Sequence, residues 1–418
     1  MSTGRPTPED RHGLPGAQIP SGVFDRLRGG LSDGPPLLLG LAVLANFGSS
    51  ASRVMLGPLV PSITDAFTVS NSVVGLALSG MWVAFAFAQY PSGVFGDRYG
   101  ERPLVLVALA AITTGGLVVT FAPTFPVFVL GVVPLGAGAG LYLVASTSYL
   151  TKQFDDTGTV LGVHGAGASL AGFAVPVAVA AIAARFGFRA GLLAGAATAP
   201  VALFLFFRYG RHTSPTPGMN VRERFAPDAF RAYLRRRGVR FTMLLAGLSY
   251  FTYTATASFF PTFLVEFHGL STTAASVGFA AIYLLRSVLV PVFGRSSDRL
   301  GRDPLLAGCF AVGAGGYLLL LVRGSTPALV LGILLLGAGL SFGGVITSRF
   351  MDDLTDEERG QGYGFANTVA NVVGSTGSVV VGGISTAVGW PAAIVLLSGL
   401  LGVTVVALVT NSLLGNAG

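Results

Sequence analysis

The chain alternates between long apolar segments and short polar breaks. Runs of roughly 20 apolar residues recur along its length, and a run of that size crosses a bilayer as an α-helix. Charged or Gly/Pro-rich breaks separate twelve such runs. We therefore predict an all-α, polytopic membrane protein with twelve transmembrane spans, numbered here in chain order: 36–61, 72–95, 103–122, 126–150, 158–184, 187–208, 241–265, 272–295, 304–322, 326–348, 362–387 and 390–412.

Composition supports a membrane protein and argues against other classes. Charged residues are 11% of the chain and hydrophobic residues 52%, whereas soluble domains carry about 25% charged residues. The single cysteine, Cys309, lies inside an apolar run, so one chain cannot form a disulfide or a cysteine-ligated metal site. We expect no metal and no cofactor. Because the spans contain no set of nucleophile, base and orienting acid, we expect no enzymatic activity.

The cations are distributed unequally between the two sides of the membrane. With both termini on one side, 21 of the 26 Lys and Arg residues fall on that side, and only Arg185, Arg189 and Arg323 on the other. The positive-inside rule places the richer side, here called the inner end, in the cytoplasm. We predict a monomeric, multi-pass protein of the cell membrane with both termini cytoplasmic. The basic balance reflects topology, so we expect no nucleic-acid partner.

A charged turn occurs twice in the sequence. The first copy joins spans 2 and 3 over residues 93–102, and the second joins spans 8 and 9 over 294–302, at a constant offset of 201 residues. This repeat predicts two pseudo-symmetric six-helix bundles. The expected domains are a disordered cytoplasmic tail (1–35), a first bundle (36–209), a basic cytoplasmic link (210–240) and a second bundle (241–413).

The doubled turn resembles the signature loop of the major facilitator superfamily, in which a glycine precedes Asp-Arg and then Gly and Arg. The Gly-rich fifth span is also typical of that family, and the resemblance covers about residues 36–412. It implies a secondary active transporter that works by alternating access. One feature departs from the pattern: the arginine that many members carry early in the fourth helix is absent from residues 131–136. This weakens an inference towards sugar and drug transporters.

We interpret the two loops as a conformational latch. Their aspartates can accept hydrogen bonds from the N-terminus of a helix in the opposite half, an arrangement that the helix dipole favours. Such contacts would exist in one arrangement of the halves and break in the other. The plainer alternative is that the loops are turn formers and positive-inside anchors. The latch residues are Gly93, Asp97, Arg98, Gly100, Arg102, Gly294, Asp298, Arg299, Gly301 and Arg302.

Two arginines lie within the spans, one in each half, and a rise of about 1.5 Å per residue places both near mid-membrane. Asp and Glu occur only at the ends of spans. Two guanidinium groups without acidic partners at that depth favour an anionic ligand, which arginine binds in a two-pronged geometry. The alternative is that each binds backbone carbonyls or bridges helices. With nearby polar side chains, the predicted substrate-binding residues are Arg53, Arg286, Tyr283, Tyr250, Tyr253, Asn367, Asn371 and Gln89.

The absence of mid-membrane carboxylates leaves few candidates for proton coupling. His164 lies among glycines in span 5, while Asp65 and Glu266 lie at the outer ends of spans 1 and 7. A histidine there can titrate near neutral pH. The alternatives are a structural histidine and two exposed loop charges.

The sequence therefore predicts a transporter of a small organic anion. Its partners would be a small-molecule substrate, the lipid bilayer and a co-transported ion. Efflux of amphipathic compounds is a second reading, which the apolar, Gly-rich spans allow. A non-transporting membrane sensor that signals through the basic link is an alternative from another class.

Overall fold

The structure is a computed structural model that describes residues 36–215, 231, 233–355 and 359–415. The predicted disordered tail and most of the predicted basic link lie outside the described residues. Within the described ranges every regular element is an α-helix and no strand occurs. The predicted all-α class is confirmed.

The first half of the chain forms the helices of spans 1 to 6. Spans 1 and 6 are each divided into two helices, with breaks at Met55 and Ala197. The described helices are Pro36–Val54, Leu56–Phe67, Asn71–Tyr99, Glu101–Phe121, Phe125–Thr151, Thr157–Phe186, Phe188–Ala196 and Thr198–Tyr209.

The second half forms the helices of spans 7 to 12, and here spans 10 and 11 are divided. The break in span 10 follows Gly339, and the break in span 11 lies at Thr376. The described helices are Arg237–His268, Thr272–Leu300, Arg302–Leu319, Thr326–Gly339, Gly343–Asp352, Arg359–Ser375, Gly377–Ala387 and Trp390–Gly415.

Helices occupy all twelve predicted intervals, but they differ in how well they suit a bilayer. Among the described residues, ten helical segments are long and apolar enough to cross a membrane. The other two intervals correspond to Arg237–His268, which is rich in Ser, Thr and Tyr, and to Arg302–Leu319, which has 18 residues and begins with Arg-Asp. Most side chains of Arg237–His268 are buried against other helices, whereas Arg302–Leu319 exposes apolar side chains such as Val312 and Leu318.

The doubled turn has the same backbone geometry in both halves. Gly100 has φ 88° and ψ 150°, and Gly301 has φ 87° and ψ 151°. This region is open to glycine and strained for other residues. The N-caps of spans 2 and 8 are less alike: Ser271 Oγ accepts from the N–H of Ala274, whereas Ser70, 201 residues earlier, caps its helix without a side-chain bond.

The two halves meet closely at the outer end, the end that carries Asp65 and Glu266. A Cβ at Gly57 would lie 2.5 Å from the carbonyl oxygen of Ala257, and one at Gly75 would lie 2.6 Å from that of Ser378. Contacts this short require glycine. The backbones of spans 1 and 7, and of spans 2 and 11, therefore touch and close this end.

Side chains reinforce the outer closure. Asn71 Nδ2 donates to the carboxylate of Glu266 at 3.2 Å, and the backbone N–H of Ser72 donates to Thr386 Oγ1 at 3.1 Å. Trp390 Nε1 donates to the same carboxylate at 2.8 Å. The bonds of Asn71 and Ser72 connect the first half to the second, and the bond of Trp390 holds the Glu266 carboxylate from within the second half.

The inner end is open. A cavity of about 600 Å³ separates the halves there, lined from one side by residues such as Tyr90 and Asp97 and from the other by Tyr363 and Gly364. The described chain is thus closed at the outer end and open at the inner end.

Candidate functional site

Arg53 lies in span 1, two residues before the helix break at Met55. Its guanidinium carbon is 4.6 Å from the ring centroid of Phe85 and 5.5 Å from that of Trp82. Nε donates to the carbonyl of Ser49 at 3.4 Å, which is a weak bond. Within the described part of the chain, the two terminal nitrogens of Arg53 have no hydrogen-bond partner. The two-pronged edge of this guanidinium group is therefore free to bind an anion.

The free edge of Arg53 belongs to a central cavity of about 120 Å³ between the halves. Spans 1, 2 and 5 line it from the first half, and spans 7 and 8 from the second. Trp82, Tyr253 and Tyr283 supply its aromatic wall. Among the described residues that line it, Arg53 is the only charged one.

Two tyrosines connect the cavity to the second half. The hydroxyl oxygens of Tyr253 and Tyr283 are 3.3 Å apart. The ring of Tyr283 packs directly against Gly172 of span 5, where a Cβ would overlap the ring. Tyr283 therefore reaches across the interface, and the small residue in span 5 makes room for it.

Arg286 contacts the same tyrosine pair but is held differently. Its guanidinium carbon is 4.4 Å from the ring centroid of Tyr253, and Nη1 donates to the carbonyl oxygen of Leu340 at 2.6 Å. Leu340 follows the C-terminus of Thr326–Gly339, in the break of span 10. A carbonyl freed by a helix break needs a donor inside a membrane protein, and a cation suits a helix C-terminus. Arg286 meets both needs.

The remaining predicted binding residues form a separate polar chain. Asn367 Nδ2 donates to Gln89 Oε1 at 3.1 Å, and the hydroxyl of Tyr250 donates to Asn367 Oδ1 at 2.9 Å. Asn371 Nδ2 donates to the carbonyl of Asn367 at 2.8 Å. Gln89 and Asn367 line the inner cavity, not the central one. Of the eight predicted residues, Arg53, Tyr253 and Tyr283 line the central cavity and Gln89 and Asn367 the inner one, while Arg286, Tyr250 and Asn371 contact these residues from behind.

The first copy of the latch loop is paired within its own half. Lys152 Nζ lies 3.9 Å from Asp97 and 2.5 Å from Glu101, which is buried. Arg102 donates to the carbonyls of Gly210 and Phe207, both at 2.8 Å. Arg98 is exposed.

The second copy is also paired within its own half. Arg302 forms ion pairs with Asp298 and, at 3.0 Å, with Asp352. Asp352 first, and then Asp298, raise the pKa of Arg302 above its ordinary value. Arg299 is exposed. With the inner end open, the ion pairs of both latch aspartates in the described structure are with cations of the same half.

The three candidates for proton coupling differ in their surroundings. His164 is buried, and its Nε2 lies 3.2 Å from Ser146 Oγ. Asp65 and Glu266 are exposed at the outer end, where Glu266 accepts the bonds from Asn71 and Trp390. No group of three or more His, Cys, Asp or Glu side chains that could hold a metal occurs among the described residues.

Sequence reasoning found Tyr253 and Tyr283 but missed two other aromatic residues of the site. Trp82 lines the central cavity and Phe85 lies against Arg53, yet neither was among the predicted residues. The repeat contained a signal for both. Adding the offset of 201 residues to Trp82 gives Tyr283, and adding it to Phe85 gives Arg286.

Comparison with known proteins identifies the family. The model of the Major Facilitator Superfamily matches residues 42–285 and 242–413. The chain is 24% identical over 399 residues to a protein named as the hexuronate transporter of Bacillus subtilis, covering 88% of this chain and 91% of that one. It is also 24% identical over 353 residues to a protein named as a probable 4-methylmuconolactone transporter of Cupriavidus pinatubonensis, covering 79% of each chain.

Solved structures agree on the fold. The nucleoside transporter NupG superposes with a TM-score of 0.75 at 15% identity, covering 90% of this chain and 99% of that one. The family match spans nearly the whole described chain, and the doubled loop, the all-helical fold and the cavity between the halves fit it. The chain belongs to the Major Facilitator Superfamily and is a multi-pass membrane transporter of a small solute.

Proposed function

We propose that this transporter moves a small organic anion by alternating access and that Arg53 holds the negative group of the substrate. The observation that carries the proposal is the free guanidinium edge of Arg53, the only charged side chain among the described residues that line the central cavity. Arg53 is partly buried, and a cation at this depth without an anionic partner is costly. An anionic ligand would supply the missing counter-charge.

The position of the cavity supports the transport mechanism. It lies between the halves, below an outer end closed by glycine-mediated backbone contacts and above an inner end that is open. Rocking of one half against the other about such a site would expose it to each side in turn. The latch residues 93–102 and 294–302 lie at the inner end, where that motion would make and break their contacts.

The two curated relatives support an organic substrate. One is named for hexuronate, which is an organic anion, and the other for a methylmuconolactone. We further propose that the protein resides in the cell membrane with both termini in the cytoplasm, as the 21-to-3 distribution of cations favours.

Uptake of labelled carboxylates into proteoliposomes tests the proposal. The wild-type protein should accumulate benzoate or galacturonate above the level of empty liposomes, and Arg53→Gln should lose that uptake. The matched control is Arg323→Gln, because Arg323 lies over Phe267 and outside the lining of the cavity. Full uptake by Arg53→Gln, or equal loss in Arg323→Gln, would argue against an anion site at Arg53.

A further inference from the structure

We infer that the central cavity selects an anion with one charged group and a flat, apolar body, such as an aromatic carboxylate, over a polyhydroxylated sugar acid. This inference rests on the proposed anion site at Arg53 and names the class of substrate for that site. Its basis is the division of the cavity wall into one free cation, several aromatic rings and a predominantly apolar remainder.

Most of the wall offers no hydrogen bonds to a ligand. Val54 and Leu56 flank the break in span 1, while Leu78 and Met81 face the cavity from span 2 and Ala257 from span 7. A hydroxyl group buried against such side chains loses its bonds to water and gains none. A sugar acid would place several hydroxyls there.

Apart from Ser50, the uncharged polar groups in the wall already have hydrogen-bond partners. Ser258 Oγ lies 2.7 Å from Ser378 Oγ and accepts from Trp82 Nε1 at 3.4 Å. The hydroxyls of Tyr253 and Tyr283 pair with each other. These pairs leave the wall fewer free donors and acceptors than the several hydroxyls of a sugar acid need, so the wall better suits a ligand body that has no polar groups.

The aromatic rings are placed to hold a flat ligand. The ring centroids of Trp82 and Tyr253, one from each half, are 6.2 Å apart with their planes at 68°. Rings arranged this way accept a further ring in an edge or offset contact. Arg53 lies over Trp82. An aromatic carboxylate bound to Arg53 would therefore place its own ring against Trp82 and Tyr253.

Charge and size restrict the ligand further. Arg53 can neutralise one negative charge, and Arg286 is already bonded to the carbonyl of Leu340. The cavity volume of about 120 Å³ is far below the roughly 300–1,000 Å³ that encloses a drug-sized compound. A small monocarboxylate fits these limits, and a bulky amphipathic compound does not.

The two tryptophans of the chain provide a direct assay. Trp82 lines the cavity and Trp390 lies at the outer end, so Trp390→Phe leaves Trp82 as the only reporter. In this variant, benzoate should change the fluorescence of purified protein saturably, and galacturonate should bind on the order of 100-fold more weakly. Benzamide, the uncharged analogue of benzoate, should not saturate the signal. Titration calorimetry on the wild-type protein repeats the comparison without the substitution.

The outcomes separate this inference from the proposed function. If galacturonate binds as tightly as benzoate and Arg53→Gln abolishes both, the anion site stands and the selectivity inference is overturned. If benzamide binds as tightly as benzoate, or Arg53→Gln binds benzoate normally, the anion site itself fails. If neither carboxylate binds in either assay, both are overturned.

Discussion

Arg53 and Arg286 are the two arginines within the predicted spans, and they differ in their hydrogen-bond partners. Both lie against aromatic rings, Phe85 for Arg53 and Tyr253 for Arg286. Arg286 also makes a short bond to the carbonyl of Leu340, whereas Arg53 has only a weak bond to Ser49. We expect a partly buried cation that satisfies the carbonyl of a broken helix to serve mainly the structure. One without such a partner is available to a ligand.

The repeat relates each arginine to an equivalent position in the opposite half. The position equivalent to Arg286 in the first half is Phe85, 201 residues earlier, and the position equivalent to Arg53 in the second half is Thr254, next to Tyr253. In the first half the cation lies in span 1 and the ring in span 2. In the second half the ring lies in span 7 and the cation in span 8. The same pair of side-chain types occurs in both, but only the first half directs its cation into the central cavity.

The largest expected effect is that of Arg53→Gln. Removing one partner from a buried charge pair costs about 2–5 kcal/mol, so the affinity for a transported carboxylate should fall roughly 30-fold or more. Arg53→Lys keeps the charge but loses the two-pronged geometry, and its loss should be intermediate. Concentration-dependent uptake into proteoliposomes measures both. Equal carboxylate affinity in the wild type, Arg53→Gln and Arg53→Lys would show that Arg53, like Arg286, does not bind the substrate.

Arg286→Gln should act mainly on stability. It leaves the carbonyl of Leu340 without its donor, at a cost of about 1–3 kcal/mol. The unfolding temperature in detergent should fall, while uptake per folded molecule should stay within about threefold of wild type. A loss of uptake as large as that of Arg53→Gln, with an unchanged unfolding temperature, would assign Arg286 to the substrate instead.

Phe85→Leu should have a smaller effect, because it removes only the ring beneath Arg53. A cation–π contact contributes about 0.5–2 kcal/mol, so carboxylate affinity should fall by about 2- to 30-fold. Phe128→Leu is the matched control: Phe128 is buried in an aromatic cluster with Phe67 and Phe125, and it does not line the central cavity. If both variants lose affinity equally, the effect is one of packing.

The smallest expected effect is that of Asp97→Asn, far from both arginines. With the inner end open, Asp97 pairs with Lys152 of its own half, so a latch must act through a different contact between the halves that forms when this end closes; partly exposed pairs contribute about 0–1 kcal/mol. If the loop is a latch for the state closed at the inner end, this variant should favour the open state and raise maleimide labelling of Thr147→Cys, in a Cys309→Ala background, up to about fivefold. Asp65→Asn, at the outer end, should change nothing. Unchanged labelling in Asp97→Asn would favour a simple anchor.

The fold could be predicted because its signals are local or periodic. The length of the apolar runs gave the spans, and the doubled loop gave the two halves. The breaks inside spans 1, 6, 10 and 11 were missed, since Met55, Ala197 and Thr376 do not interrupt an apolar or helical pattern.

The site was only partly predictable, because partners come from other spans. Arg53 and Arg286 stand out in the sequence as isolated charges. The partner of Arg286 is a backbone carbonyl, and the identity of a residue does not indicate whether its carbonyl is free. Likewise, the pairing of Lys152 with Glu101 and Asp97 depends on how spans 3 and 4 pack. Spacing along one helix could group Tyr250 with Tyr253. In the structure, however, the hydroxyl of Tyr250 bonds to Asn367 and that of Tyr253 lies against the hydroxyl of Tyr283.

The most direct test places the two arginines in one experiment. Initial rates of labelled benzoate uptake should be measured in proteoliposomes that contain equal amounts of folded wild-type, Arg53→Gln, Arg286→Gln or doubly substituted protein. We predict that Arg53→Gln alone lowers uptake to nearly the level of the double variant and that Arg286→Gln retains most of it. Uptake at the wild-type rate by the double variant would contradict an anion site at Arg53.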